Sequence, residues 1–302
     1  MGKLSPMMEQ YLATKEQYKD CILFYRLGDF YEMFFDDALT ASKELEITLT
    51  GKDCGLEERA PMCGIPYHAA DIYINRLIEK GYKVAIGEQV EDPKLAKGLV
   101  KREVIRIVTP GTNMSAEVLD EAKNNYIMSI SYYNFKYGIS VSDISTGIFK
   151  CCRVGTSDKV LDEINKYQPS EIIYQDTVPN SGLELDAIAD KLHISKTEAP
   201  AHYFDYDTSE ATIKRHFHIS SLEGLGLKDT PEIVVSTGAM LDYLYDTQMN
   251  SLKHINHIEL YSVDSYMIID SSTRRNLELT ETMRDKQKKG SLLWVLDKTK
   301  TA

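Results

Sequence analysis

The stretch ILFYRLGDFYEMFFDD, residues 22–37, constrains the fold more than any other part of the chain. It is rich in aromatic and branched residues, as strands are, yet Arg26, Asp29 and Glu32 lie inside it. A strand buried on both faces reads as nearly continuous apolar residues, whereas a half-buried one alternates. In a single straight strand, successive side chains point to opposite faces. The odd set is then Leu23, Tyr25, Leu27, Asp29, Tyr31 and Met33, which is largely apolar. The even set mixes Arg26, a bare Gly28 and Glu32 with Phe30. The pattern predicts core on the odd face, with Phe30 and Glu32 side by side on a wetter even face. A bulge or bend at Gly28-Asp29 would re-aim Phe30 outward. Either geometry presents an aromatic ring and a carboxylate together.

The chain has 302 residues, enough for about two domains at ~100–200 residues each, and at 43% hydrophobic it can bury real cores. Its net charge is −11, so no global basic field draws it to nucleic acid. Residues 1–115 carry 15 Lys and Arg against 18 Asp and Glu, so most of the negative charge lies further on. Two local runs are basic: KLAKGLVKREVIR (94–106) and RDKQKKGSLLWVLDKTK (284–300). Such runs are either solvated surface or phosphate contacts. Five cysteines without a C-x-x-C pair give neither a disulfide framework nor a zinc site, and a reducing cytoplasm is expected. No secretory leader and no apolar run of ~18 residues occurs, so no membrane is expected as a partner.

The first ~110 residues alternate helix and strand patterns, as mixed α/β domains do. A helix is expected over Pro6–Lys19, and Asp36-Asp37 open another, carboxylates suiting the positive end of a helix dipole. LEITLTG (45–51) reads as a strand and APMCGIPYH (60–68) as a loop fixed by its prolines. Residues 69–81 read as an amphipathic helix with Ile72, Leu77 and Ile78 inward and Gly81 just past its end. His68 is expected to cap its start. Residues 82–90 and 102–111 read as strands. TNMSAEVLDEAKNN (112–125) reads as a polar linker. Three strand patterns follow at 126–133, 137–144 and 146–154, then a helix capped by Ser157 or Asp158 and stopped before Pro169, then a strand at 171–176. A meander followed by helix–strand units is the order of a ribonuclease-H-like core. From about Ser209 the patterns are mostly helical, and 265–284 runs from a strand-like start into a helix capped at Ser272 or Thr273. The chain stops in LLWVLDKTKTA, inside an amphipathic pattern, as a piece of a longer protein would.

FYRLGDFYEMFFDDA resembles the mismatch-binding motif of the MutS family of DNA mismatch repair proteins. PMCGIPYHA (61–69), GEQVEDP (87–93), VIRIVTPGT (104–112) and the segment from STRRNLELTETMR (272–284) to GSLLWVLDKTKTA (290–302) are similar to the same family in the same order. The resemblance implies a mixed-sheet α/β mismatch-recognition domain (1–112), a linker (113–125), a ribonuclease-H-like α/β connector domain (126–250) and the start of an all-helical core or lever domain (251–302). Clamp and ATPase domains follow in the family. No G-x-x-x-x-G-K-[ST] pattern occurs in these residues, so no ATP hydrolysis is expected of this chain, and ATP and Mg belong only to the longer protein.

The family's Phe-x-Glu motif falls on Phe30 and Glu32. It implies that Phe30 enters the minor groove and stacks on a mispaired base in kinked DNA while Glu32 hydrogen-bonds that base. Glu32 is then expected to take up a proton on binding and to repel correctly paired duplex. Arg26, Asp29, Lys52 and Met62 are candidate supporting contacts. Implied partners are double-stranded DNA with mispairs or small insertion/deletion loops, MutL through the connector domain, and a second copy in the longer protein, this chain alone being monomeric. Two other readings compete. Asp143 and Asp176, at strand ends, would hold Mg in a ribonuclease-H-like nuclease. The acidic tracts DEINKY and LELDAIAD would serve a pure interaction module.

Overall fold

The computed structural model describes residues 4–55, 58–91, 98, 100–114, 124–249, 252–263 and 269–299. Most of the expected linker, Lys94 and Lys97 of the first basic run, and the strand-like residues 265–268 lie outside the described residues. The chain divides into two compact units, Met1–Val118 with Leu244–Ser251, and Leu119–Tyr243 with Leu252–Ala302.

The first unit contains α1 (Pro6–Gln17), β1 (Ile22–Leu27), β2 (Phe30–Phe34), α2 (Phe35–Leu45), β3 (Thr50–Lys52), β4 (Ala60–Pro66), α3 (Ala70–Glu79), β5 (Val84–Gln89) and β6 (Arg102–Val108). Its strands form one sheet in the order β3-β4-β2-β1-β5-β6. Only β1 and β5 pair in parallel. The straight strand expected over 22–37 is instead a hairpin. Leu27 pairs with Phe30, and Gly28-Asp29 form the two-residue turn. Gly28 has φ +60° whereas Asp29 keeps a negative φ, the glycine-first pattern of a type II′ turn. The chain reversal shifts the parity. Residues paired across a ladder share a face, so Tyr25 and Glu32 share one face and Arg26 and Tyr31 the other.

Both faces are buried, which explains the nearly unbroken apolar run. Ile22, Phe24, Tyr31 and Met33 pack with Leu45 of α2 and Ile74, Leu77 and Ile78 of α3. Leu23, Tyr25 and Phe34 pack on the other face with Met8 and Tyr11 of α1. Buried Asp37 ties these layers together. Its carboxylate accepts from the Leu23 backbone N–H (3.0 Å) and the Tyr11 hydroxyl (3.4 Å) and pairs with Lys15 (2.9 Å). Burial first, and the charge of Asp37 next, push the Tyr11 phenol above its ordinary pKa.

Several local expectations change. APMCGIP is strand β4, with Pro61 next to its start and Pro66 at its end, where a missing N–H disturbs the ladder least. Of the expected 45–51 strand only Thr50 and Gly51 pair, in a β3 that continues to Lys52, and α2 runs on to Leu45. Ile72 of α3 faces outward and Ile74 takes its place, in phase with Ala70, Leu77 and Ile78. Gly81, at φ +83°, bonds Ile78 O (2.8 Å) while Tyr82 bonds Leu77 O (3.0 Å), a Schellman ending. No side chain caps α3; His68 lies in the preceding turn with its ring edge-on to Tyr67.

The second unit contains β7 (Ile127–Tyr133), β8 (Lys136–Asp143), β9 (Ile148–Val154), α4 (Ser157–Tyr167), β10 (Glu171–Tyr174), α5 (Leu185–Leu192), β11 (Ser195–Glu198), α6 (Tyr206–Phe217), β12 (Glu259–Leu260), α8 (Ser271–Asn276) and α9 (Leu292–Leu296), and most of α7 (Pro231–Gln248). The sheet order is β11-β10-β7-β8-β9-β12. β7–β9 form an antiparallel meander, and β10 and β11 run parallel to β7. This is the ribonuclease-H-like arrangement that the pattern predicts. Thr156, not Ser157 or Asp158, caps α4, and Asp270 caps α8.

One face of this sheet packs on α4 and α5 through Met128, Ile130, Ile139, Val141, Val160, Ile164 and Ala189. The other is lined by serines and buried against α7. Ser131 donates to Glu232 O (2.8 Å), and Ser140 bonds Ser236 (2.9 Å) and Thr237 (3.0 Å). Gly138 permits this approach, because a Cβ there would lie 1.9 Å from Glu232 O.

Two stability effects follow. Asp37→Ala removes the counter-charge of the half-buried Lys15, which keeps only the carbonyls of Lys19 and Cys21, and the acceptor of the Leu23 N–H, and should lower unfolding free energy by about 3 kcal/mol. Gly138→Ala forces α7 off the sheet and should cost about 3 kcal/mol or more. Urea unfolding followed by circular dichroism measures both, and a change under about 0.5 kcal/mol, typical of surface substitutions, would contradict either account.

Candidate nucleic-acid interface

The hairpin decides what the N-terminal sheet presents. Phe30 is the first residue after the turn, paired with Leu27 on one side and Pro66 on the other. The residue is 48% exposed, unusually open beside the fully buried Tyr25 and Phe34 of the same face. Glu32 follows on that face, flanked by Tyr25 and Gly64. Gly64 adds no side chain, and a Cβ there would touch Glu32 Cγ at 3.5 Å. The glycine therefore leaves room over β4 beside the carboxylate.

Lys52 of β3 and Met62 of β4 lie in register with this face, Met62 being paired with Phe34. The Lys52 ammonium bonds Glu32 Oε2 at 2.5 Å and lies 5.6 Å from the centre of the Phe34 ring. Four of the six candidates, Phe30, Glu32, Lys52 and Met62, thus share one face of three neighbouring strands.

Arg26 and Asp29 do not join them. Arg26 projects from the opposite face, stacks on Tyr67 (3.7 Å to the ring centre), donates to Gly28 O (2.5 Å) and pairs with Glu88 (3.4 Å). Tyr31 donates to the same Glu88. Burial and that bond push the Tyr31 phenol above its ordinary pKa. Asp29 lies in the turn, where its carbonyl accepts from Tyr67 N–H (3.0 Å). These contacts brace the hairpin that carries Phe30. Tyr67 and Glu88 are the residues that sequence reasoning missed; their long-range pairing with Arg26 leaves no local signal.

The first basic run is partly structural. Arg102 is buried and donates to Arg26 O (2.7 Å) and Val100 O (2.9 Å), and Arg106 donates to Thr112 O (3.2 Å). In the second unit, the buried Asp143 carboxylate accepts from Asn125 N–H (3.2 Å), Ser145 N–H (2.8 Å) and the Ser145 hydroxyl (2.6 Å), while Asp176 is exposed. Among the described residues no group of three or more His, Cys, Asp or Glu is placed to hold a metal ion. The tract DEINKY is not freely exposed, since Glu163 is buried and bonded by Tyr261 and Lys166 (3.0 Å), whereas Glu184, Asp186 and Asp190 of LELDAIAD are exposed. All five cysteines are buried, and burial raises every thiol, Cys21, Cys151 and Cys152 to about 12. No described helix is long and apolar enough to cross a membrane.

Residues 5–117 match the family model for MutS domain I, and residues 125–256 match that for MutS domain II. The chain belongs to the MutS family. It is 63% identical over its whole length to the DNA mismatch repair protein MutS of Lachnoclostridium phytofermentans, of which it covers 32%. It is 56% identical to that of Ruminiclostridium cellulolyticum and 50% identical to that of Clostridioides difficile, covering 35% and 31% of them. The chain thus spans about a third of the length of these curated relatives. Within the MutS family assignment, the open ring and its neighbouring carboxylate lie in domain I, and the serine-lined sheet lies in domain II.

Proposed function

We propose that the first unit recognises mispaired or looped bases in double-stranded DNA, with Phe30 as a wedge in the minor groove and Glu32 as the group that bonds the displaced base. The observation carrying this reading is the half-exposed Phe30 ring on the same face as Glu32, at the tip of a braced hairpin. Opening a base step costs a few kcal/mol, least where a base is mismatched or unpaired. Stacking on an aromatic returns about 1–3 kcal/mol per base and is nearly blind to base identity. The gain is similar everywhere and the cost is lower at an error, so the difference reports deformability rather than sequence. Glu32 sharpens this contrast, because a carboxylate facing an intact duplex meets the like charge of the phosphates and groove edges made mostly of acceptors. Membership of the MutS family extends the proposal to the second unit as a docking surface for MutL and a link to the longer protein's ATPase.

Fluorescence anisotropy with matched and mismatched duplexes at low salt tests the wedge. Phe30→Ala should weaken mismatch binding about tenfold, the loss of one stacked base, with little effect on matched duplex. Equal loss on both duplexes would reject the wedge. Glu32→Gln keeps a hydrogen-bond donor and removes the charge. It should raise matched-duplex affinity several-fold and narrow the discrimination, and unchanged matched-duplex affinity would reject the repulsive role of Glu32.

A further inference from the structure

We propose that Lys52 covers Glu32 in the free chain and is handed to a DNA phosphate on binding, so that the carboxylate is uncovered only on the duplex. The inference rests on the minor-groove reading above and assigns a positioning residue to it. Glu32 is largely enclosed, its side chain 16% exposed, while Lys52 on the short strand β3 is 33% exposed. The two are bonded directly, and among the described residues neither side chain makes another hydrogen bond or ion pair, the ammonium resting otherwise only over the Phe34 ring. The ammonium has three donors, so at least one remains for an incoming anion.

A partly exposed ion pair is weak. A duplex phosphate competes well for the lysine because each neutralised phosphate also releases a counterion. Once Lys52 turns to the backbone, Glu32 has lost its counter-ion and faces the groove. On intact duplex it remains an unpaired anion, whereas at a mispair it meets a displaced base. Opening the pair costs the same on both duplexes and is offset on only one. The chain therefore keeps Glu32 neutralised in solution without weakening its discrimination on DNA.

The test is a double-substitution cycle of Lys52→Met and Glu32→Gln, read on matched duplex by anisotropy across a salt series. Lys52→Met should flatten the slope of log affinity against log salt by about 0.9 in both backgrounds, the signature of one lost phosphate. Its affinity loss should be larger by a factor of about three or more when Glu32→Gln is present, since no pair then has to open. Lys52→Arg should retain the parental slope. An unchanged slope for Lys52→Met, a loss that is equal or smaller beside Glu32→Gln, or no duplex binding by the parent chain at low salt would each overturn the proposal. Thermal midpoints report folding, and Lys52→Gln replaces Lys52→Met if the latter lowers the midpoint. Because the cycle uses matched duplex and Phe30→Ala is judged by mismatch preference, the slope and cycle outcomes sink the handover without touching the wedge, whereas absence of parental binding sinks both.

Discussion

A two-residue turn at Gly28-Asp29 carries the candidate site. By reversing the chain there, it places Phe30 at the tip of the sheet, beyond the α1 layer that buries Tyr25 and Phe34. One fewer residue in the turn would move every side chain of β2 to the other face. Met33 and Tyr31 would then replace Phe30 and Glu32 on the site face. The brace of Arg26, Tyr67 and Glu88 holds this turn from the far side of the sheet. The site is a consequence of hairpin geometry supported by packing on the face opposite to the one it uses.

The charges at the site are local and opposed to the charge of the whole. A chain of net −11 gains nothing from long-range steering toward DNA, so the recognition proposed for it has to come from short-range contacts. A phenylalanine is well suited, since stacking does not depend on the sign of the field. On the proposed reading Glu32 adds to the general repulsion, and its pairing with Lys52 would confine that repulsion to the complex.

The second unit shows how burial can invert the sense of a pattern. Ser129, Ser131, Ser140 and Ser142 alternate with apolar residues as a solvated strand face would. They are buried, and Ser131 and Ser140 bond α7. Small hydroxyl side chains and Gly138 allow a helix to approach the sheet more closely than large apolar residues would.

Periodicity and turn chemistry, both local, made most elements legible: the meander β7–β9, the strands β5 and β6, the helix ending at Gly81, and the ring–carboxylate pair at Phe30 and Glu32. Quoted motifs also made the family legible. Local signals did not extend to the reversal at Gly28, the strand character of APMCGIP, or the inward turn of Arg102. Each of these is set by residues far along the chain: Pro66 and Tyr67 against the hairpin, β2 and β3 flanking β4, and the carbonyl of Arg26. The amino-acid order determined which side chains were available for a wedge, a base contact and a counter-ion. Only the tertiary structure decided that Lys52 belongs with Glu32 and Arg26 does not, because sharing a face depends on strand register, and register is fixed by cross-strand pairing rather than by separation in sequence.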